Sequence, residues 1–375
     1  MKTTGWFQFL RQVTVGALVM MAPYAGSFAQ DSTQQYTVTN LVSNQSAEGS
    51  NPLDADLVNA WGISRSSGSP WWVSDNGTGL STIYNNAGVK AGLVVTIPTG
   101  DPTLSTTGTP TGTIYNGSSV DFVLPDGKPA AFLFVTEDGT ISGWNSSVSA
   151  NTAEIVVNEK SQSVFKGVAA AQVDHETTST TYLYVADFRK GRVQVYDTSF
   201  HPALISEGDF RDEWIPDGYA PFNIWNIGGN LYVAFAKQDA AKHDEVDGPG
   251  LGYVDVFSPS GRLLQRLEYG PWFNAPWGLA LASSDFGLYS HDVLVGQFGS
   301  GEILAFDPVT GKYKGKLLDT TNNPITIDGL WGISFGNGSS VGAATALYFA
   351  AGPNGESNGL FGMITAVQKI QGNDQ

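Results

Sequence analysis

The chain has 375 residues, 41% hydrophobic and only 14% charged, with 45 glycines, no cysteine and a formal net charge of −16. That length exceeds the usual single domain but suits a repeat architecture, and the Gly-, Ser-, Thr- and Asn-rich composition suits short strands and turns rather than long surface helices. Without cysteine there is no disulfide, thiolate metal site, iron–sulfur cluster or cysteine nucleophile, and the acidity argues against nucleic acid or anionic lipid as the main partner while suiting a cation, a neutral ligand such as a sugar, or simply solubility outside the cell.

Residues 1–29 read as a signal peptide. Lys2 and Arg11 supply positive charge, 13–22 is an apolar run too short to span a bilayer comfortably, and Ser27-Phe28-Ala29 offers cleavage after Ala29. The expectation is an exported protein, periplasmic or extracellular, with no membrane span once the signal is removed. A short tail, 30–35, then leads into a repeat domain at 36–370, and 371–375 is a polar tail.

A β run at 36–42 precedes six repeats. The first contains Trp61-Gly62-Ile63, Trp71-Trp72-Val73, a Gly79-to-Tyr84 segment and an apolar run at 93–97. The second has 120–124, 132–135, Gly139 to Trp144 and 154–157; the third has 167–173, 182–185 and Gly191 to Tyr196. The fourth has 222–225, 231–233, Gly252 to Phe257 and 263–267, and the fifth Trp277-Gly278-Leu279, 293–295, Gly301 to Phe306 and 313–318. The sixth has Trp331-Gly332-Ile333, 347–349 and Gly359 to Ile364, and stops there. A glycine, four residues and then an aromatic mark the third strand of five repeats, with Ile in the aromatic slot of the sixth; Trp277 to Trp331 is 54 residues and Trp61 to Trp277 is 216, four times that period. Four strands per unit at such a period predict an all-β, six-bladed β-propeller with four antiparallel strands per blade, its ring closed by residues 36–42 as the missing strand of blade six.

Propeller geometry places strand-two-to-three loops and blade-to-blade connections on one face. Three long connections fall there: 98–119, 206–219 and 236–251. The last carries Lys237, Gln238, Asp239, Lys242, His243, Asp244, Glu245 and Asp247. Carboxylates beside one His can ligate a hard cation or form an acid–base pair, with His243 and Asp244 the candidate catalytic pair and Lys237, Gln238, Asp239 and Glu245 candidate ligand contacts. The plain alternative is a solvated charged loop pinned by local salt bridges. A second set, Asp75, Glu137, Asp187, Asn223 and Asp328, lies at strand ends on this face, and a central ring of such oxygens is what calcium requires. Six-bladed hydrolases of the gluconolactonase and paraoxonase type hold calcium in this way, a resemblance of architecture alone; strand-end Asp and Asn also commonly cap turns. The tryptophans 61, 277 and 331 belong to blade packing, whereas Trp214 and Trp272 are candidates for glycan stacking. His175, His201 and His291 are scattered, with no nucleophile beside them.

The stretch Leu183 to Asp187 followed by Arg192-Val193 resembles the NHL repeat, and the other blades lack that Arg. Ala220-Pro221-Phe222-Asn223, Lys237-Gln238-Asp239, Lys242 to Val246, Pro276-Trp277-Gly278, Asp328 to Trp331 and Ala351 to Asn354 resemble a family of exported bacterial propellers. The resemblance covers nearly everything after about residue 36. It implies the fold and export, and no activity. Asn358 stands where that family often has a His, which speaks against a metal there. Three readings therefore stay open: a module binding a small molecule, glycan or protein; a calcium-dependent hydrolase or lyase; and a glycan-binding protein.

Overall fold

The structure is a computed structural model, and it describes residues 34–50, 52–174, 177–205, 208–339 and 341–368. The expected signal peptide, the 371–375 tail and His175 lie outside these residues. The described chain is a six-bladed β-propeller with three short 3-10 turns as its only helical elements among the described residues.

Blade one is Ala60–Ser64, Trp71–Asp75, Leu80–Tyr84 and Val95–Thr96; blade two is Pro110–Tyr115, Phe132–Thr136, Thr140–Trp144 and Glu154–Asn158. Blade three has three strands, Phe165–Asp174, Ser179–Asp187 and Arg192–Tyr196, with a bridge from Tyr196 to Pro202 in place of a fourth. Blade four is Tyr219–Ile227, Asn230–Gln238, Tyr253–Phe257 and Leu263–Arg266, with an extra short strand, Glu245–Val246, on Asn230–Gln238. Blade five is Pro276–Leu281, Val293–Gln297, Ile303–Phe306 and Tyr313–Lys316. Blade six is Leu330–Phe335, Ala346–Ala351 and Leu360–Ala366, completed by Tyr36–Ser43 from the other end of the chain. That closing strand pairs Tyr36 with Ala366 and Ser43 with Leu360, which completes blade six with its fourth strand and joins the two ends of the chain.

One expected strand is misplaced. The inner strand of blade two is not 120–124 but Pro110–Tyr115. Thr111 and Thr113 are buried there, and Val120 is left exposed. The expected 98–119 connection is correspondingly shorter.

Every innermost strand carries an irregularity near its start, between Ala60 and Ile63, Pro110 and Thr113, Phe165 and Gly167, Pro221 and Asn223, Pro276 and Leu279, and Leu330 and Ile333. Such bulges turn the strand and re-aim a side chain. In five blades a glycine sits at the bulge, and neighbouring strands approach so closely that a side chain would not fit. A Cβ on Gly332 would lie 2.6 Å from the Trp61 carbonyl oxygen, and one on Gly167 would lie 2.1 Å from Asn223 Oδ1. The residue before each bulge position points to the axis: Trp61, Thr111, Lys166, Phe222, Trp277 and Trp331. Trp61 stacks on Trp331 at 3.6 Å between ring centroids, Trp277 meets Trp331 edge-on at 5.9 Å, and Phe298 covers Trp331 at 4.0 Å. Each buried ring contributes roughly 1.5–3 kcal/mol by desolvation, with ~0.5–1.5 more per well-placed pair. The result is an aromatic plug across one mouth of the channel. Outside it, apolar clusters fill the gaps between blades, as with Leu294, Ile303, Ile333 and Phe349.

Candidate functional site

Strand register decides which residues reach the plugged mouth. Asp75 pairs with Ala60, Thr136 with Pro110, Asp187 with Phe165 and Gln297 with Pro276, so these four share one position. Glu137 lies one residue further on. It stands in the turn after the strand, where its carboxylate meets Lys166 and Asn76.

Lys166 stands where four other blades place Trp or Phe. It is 1% exposed. Its Nζ donates to Glu137 Oε1 at 2.5 Å and lies 3.5 Å from Asp244 Oδ1. The ring of Trp61 is 4.8 Å away, and Phe188 and Phe222 are at 5.8 and 5.9 Å. Burial disfavours the ammonium, but Glu137, Glu245 and Asp244 outweigh it and hold its pKa above the ordinary lysine value. The other oxygen of Glu137 accepts from Asn76 Nδ2 at 2.8 Å. Asn59 Nδ2 donates to Asn76 at 3.2 Å and to Glu356 Oε2 at 2.6 Å, while its own oxygen accepts from Trp331 Nε1 at 3.1 Å. Five blades thus contribute to one polar network above the plug.

The 236–251 segment is an ordered hairpin rather than a free loop. Lys237 pairs with Val246 and Gln238 with Glu245. Asp239 is its internal cap, accepting from the backbone N–H of His243 at 2.8 Å, and the Gln238 amide donates to the Phe188 carbonyl. These two expected ligand contacts therefore hold the hairpin, and Lys237 and Lys242 are exposed. His243 and Asp244 are bonded to each other, Nδ1 to Oδ1, at 2.7 Å. That bond raises the pKa of His243 and lowers that of Asp244 to about 2. Burial pushes half-buried Glu245 up to about 7, and burial likewise raises Glu356.

The five residues expected to ring a calcium ion do not converge. Asp75 is buried; one oxygen accepts from the Thr82 N–H at 2.9 Å, and desolvation holds its carboxyl well above the usual range. Asp187 accepts from Ser163 Oγ at 2.8 Å and Gln194 Nε2 at 2.7 Å within blade three. Asn223 donates to the Trp277 carbonyl at 2.7 Å and fastens blade four to blade five. Asp328 caps the Asn354 N–H at 2.7 Å. Of the five, Glu137 is the one joined to Lys166, His243 and Asp244. Among the described residues, the one group of three metal-type donors is Glu137, His243 and Asp244, whose ligand atoms lie within 4.8 Å of one another.

Trp214 is 79% exposed and has the Arg266 guanidinium over its ring at 4.9 Å. Trp272 stacks on Tyr313 at 4.1 Å and 8°, so one face is already covered. A cleft of about 400 Å³ opens beside Glu137 and His243. Its lining includes the Thr99–Thr109 connection, latched by Asp138, which accepts from the Gly100 and Thr109 N–H groups at 2.5 and 3.2 Å, and the cations Lys160 and Arg189. A larger groove of about 940 Å³ lies on the opposite face, but its described lining includes no Lys, Arg or His.

Lys166, Asn76 and Glu356 are the participants that sequence reasoning passed over. For Lys166 the signal was available: Lys166-Gly167 stands in phase with Trp61-Gly62, Thr111-Gly112, Trp277-Gly278 and Trp331-Gly332.

No protein-family model matches the chain. Uncharacterized protein R648 of Acanthamoeba polyphaga mimivirus is 30% identical over 345 residues, covering 89% of this chain and 81% of R648. Uncharacterized protein L690 of the same virus is 31% identical over 345 residues, covering 89% and 87%. Both are viral, whereas the sequence resemblance was to a bacterial family. A Bacteroides thetaiotaomicron protein of unknown function superposes with a TM-score of 0.53 at 11% identity, covering 89% of this chain and 77% of that one. The soluble aldose sugar dehydrogenase of Escherichia coli, in its apo form, gives 0.51 at 12%, covering 88% and 99%. At such identities the likeness to these two is one of fold.

Proposed function

This chain belongs to the family of R648 and L690, and we propose that it is a ligand-binding propeller that takes a small polar molecule into the cleft at its plugged mouth. The observation that carries this is the convergence of Glu137, His243, Asp244 and Glu356 around the buried Lys166 ammonium. A merely solvated loop would not be tied to a buried charge drawn from a different blade, because burying that charge is costly unless the partners are held in place. The cleft is lined by hydroxyl groups of Thr99 and Thr107, by the cations Lys160 and Arg189, and by Glu137 and His243. Hydrogen-bonding ligands such as sugars or sugar acids match that lining.

Replacing residues 239–244 by Asn-Gly keeps the pairing of Gln238 with Glu245 and removes His243 and Asp244. We expect the variant to fold and to lose every ligand found by thermal-shift screening of sugars, sugar acids and amines on the wild type. A folded variant that keeps those ligands would overturn the reading.

One geometric feature favours acid–base chemistry on the bound ligand as a second reading. Asp244 holds His243 through Nδ1, which leaves Nε2 as the nitrogen free to exchange a proton. His243→Gln would then retain binding and abolish turnover. Calcium-dependent hydrolysis does not have this support, because four of its five expected ligands are engaged elsewhere. Export through residues 1–29 is part of the same proposal.

A further inference from the structure

We propose that the Lys166 ammonium is the resident cation of the mouth, occupying the place where Glu137, His243 and Asp244 would otherwise hold a divalent transition-metal ion. The inference goes beyond ligand binding, although it starts from the same Lys166 cluster, and three observations carry it.

The first is position. Lys166 occupies the axial slot that blades one, four, five and six fill with Trp61, Phe222, Trp277 and Trp331. Packing alone would call for another ring there, and the lysine is instead 1% exposed. The second is its surroundings. On one side its Nζ meets two carboxylates, Glu137 at 2.5 Å and Asp244 at 3.5 Å. On the other it faces the rings of Trp61, Phe188 and Phe222. Aromatic faces attract a monovalent ammonium but offer no lone pair to a metal. This half-oxygen, half-aromatic shell fits an alkylammonium and not a hydrated dication. The third is the donor set: the ligand atoms of Glu137, His243 and Asp244 already lie within 4.8 Å of one another, close enough to share one cation. Two carboxylates with one imidazole are a nitrogen–oxygen set that suits zinc, cobalt or nickel, with positions left for water.

The wild-type site is therefore metal-independent because its own side chain supplies the charge. Removing the ammonium, while leaving the three donors, converts the cluster into a metal site. The test is a cobalt(II) titration followed by visible absorbance, with zinc competition by calorimetry, on wild type, Lys166→Arg, Lys166→Met, Lys166→Gln and the Lys166→Met/His243→Ala double variant. Wild type and Lys166→Arg should show no saturable site, and their melting should be indifferent to chelator. Lys166→Met or Lys166→Gln should take up one cobalt per chain about 100-fold or more tighter, as removal of a unit positive charge at contact distance requires. The double variant should lose it. A folded Lys166→Met or Lys166→Gln protein that gains no cobalt overturns the proposal. So does a wild type carrying one chelatable metal per chain, a result that needs no variant to fold. Neither readout involves the organic ligand, so this inference and the ligand-binding proposal can fail separately.

Discussion

Changing Lys166 to Met and Glu137 to Gln, singly and together, measures what the buried pair does for the fold. Lys166 is 1% exposed and the Glu137 side chain 11%, so neither charge can turn to water when its partner is removed. Breaking a buried pair from one side costs about 3–5 kcal/mol. In Lys166→Met the thioether fits against the rings of Trp61, Phe188 and Phe222, and Glu137 keeps its Asn76 donor. We therefore expect the low end, ~3 kcal/mol. In Glu137→Gln the ammonium keeps Asp244 at 3.5 Å and an uncharged acceptor at position 137, so ~2–3 kcal/mol is expected. The double variant buries neither of these charges. It should lose only ~2–3 kcal/mol in all, leaving a coupling energy of at least ~2 kcal/mol between the two sites. Urea unfolding of the four proteins, followed by tryptophan fluorescence, gives the cycle. Losses that add to within ~0.5 kcal/mol would show that the two groups act independently and would refute the reasoning.

Gly332→Ala sets a Cβ 2.6 Å from the Trp61 carbonyl oxygen and should cost ~1–3 kcal/mol, whereas Gly68→Ala, with nothing within 4 Å, should stay within ~0.5 kcal/mol; equal losses would contradict the inner-ring account. Asp244 raises His243 above its ordinary 6.5, so the stability from this pair is full below that pH and is lost as pH rises through the folded value; for Asp244, held at about 2, it is present above the ordinary 3.8 and is lost as pH falls toward about 2. In an NMR titration, Asp244→Asn should lower the His243 pKa, and an unchanged value would remove the pair from the site. Trp214→Ala should leave the melting temperature nearly unchanged because the ring is 79% exposed, and unaltered glycan-array binding by the same variant would end its case as a stacking platform. If the proposed leader is cleaved, N-terminal sequencing of the protein expressed with residues 1–29 should begin at Gln30, and an intact Met1 would rule out the expected leader.

The fold was legible because its period is written in residues with hard physical constraints. A glycine that starts each third strand and a Trp-Gly pair at the axis recur wherever strands crowd. The run at 36–42 reads as a strand with no partner nearby, which the six-part repeat then provides. The misplaced inner strand of blade two shows where this fails. Thr111, Gly112 and Thr113 satisfy the crowded axis as well as an apolar run does, but they carry no hydrophobic signal, and Val120 to Leu124 does. The site was legible only in part. His243, Asp244 and Glu137 were named, but Asp75 and Glu137 were treated as equivalent when Asp75 ends its strand and Glu137 lies one position further, in the turn. Lys166 was overlooked because a lone lysine in an apolar strand reads as a surface charge. Its burial depends on aromatic rings and carboxylates from other blades, up to about a hundred residues away in sequence.

The closing strand carries a consequence for synthesis. Tyr36–Ser43 leaves the ribosome among the first parts of the repeat domain, and its partner Leu360–Ala366 among the last. For most of translation the early strand has nothing to pair with, and once blade five is made, blades one and five each present one bare flank until blade six follows. The seam is thus the last joint made, and it spans more than three hundred residues of chain, a long-range contact of the slow kind. A protein stalled or cut short before residue 360 would have nearly all of its blades and no clasp, and its unmatched flanks would invite association with other incomplete copies.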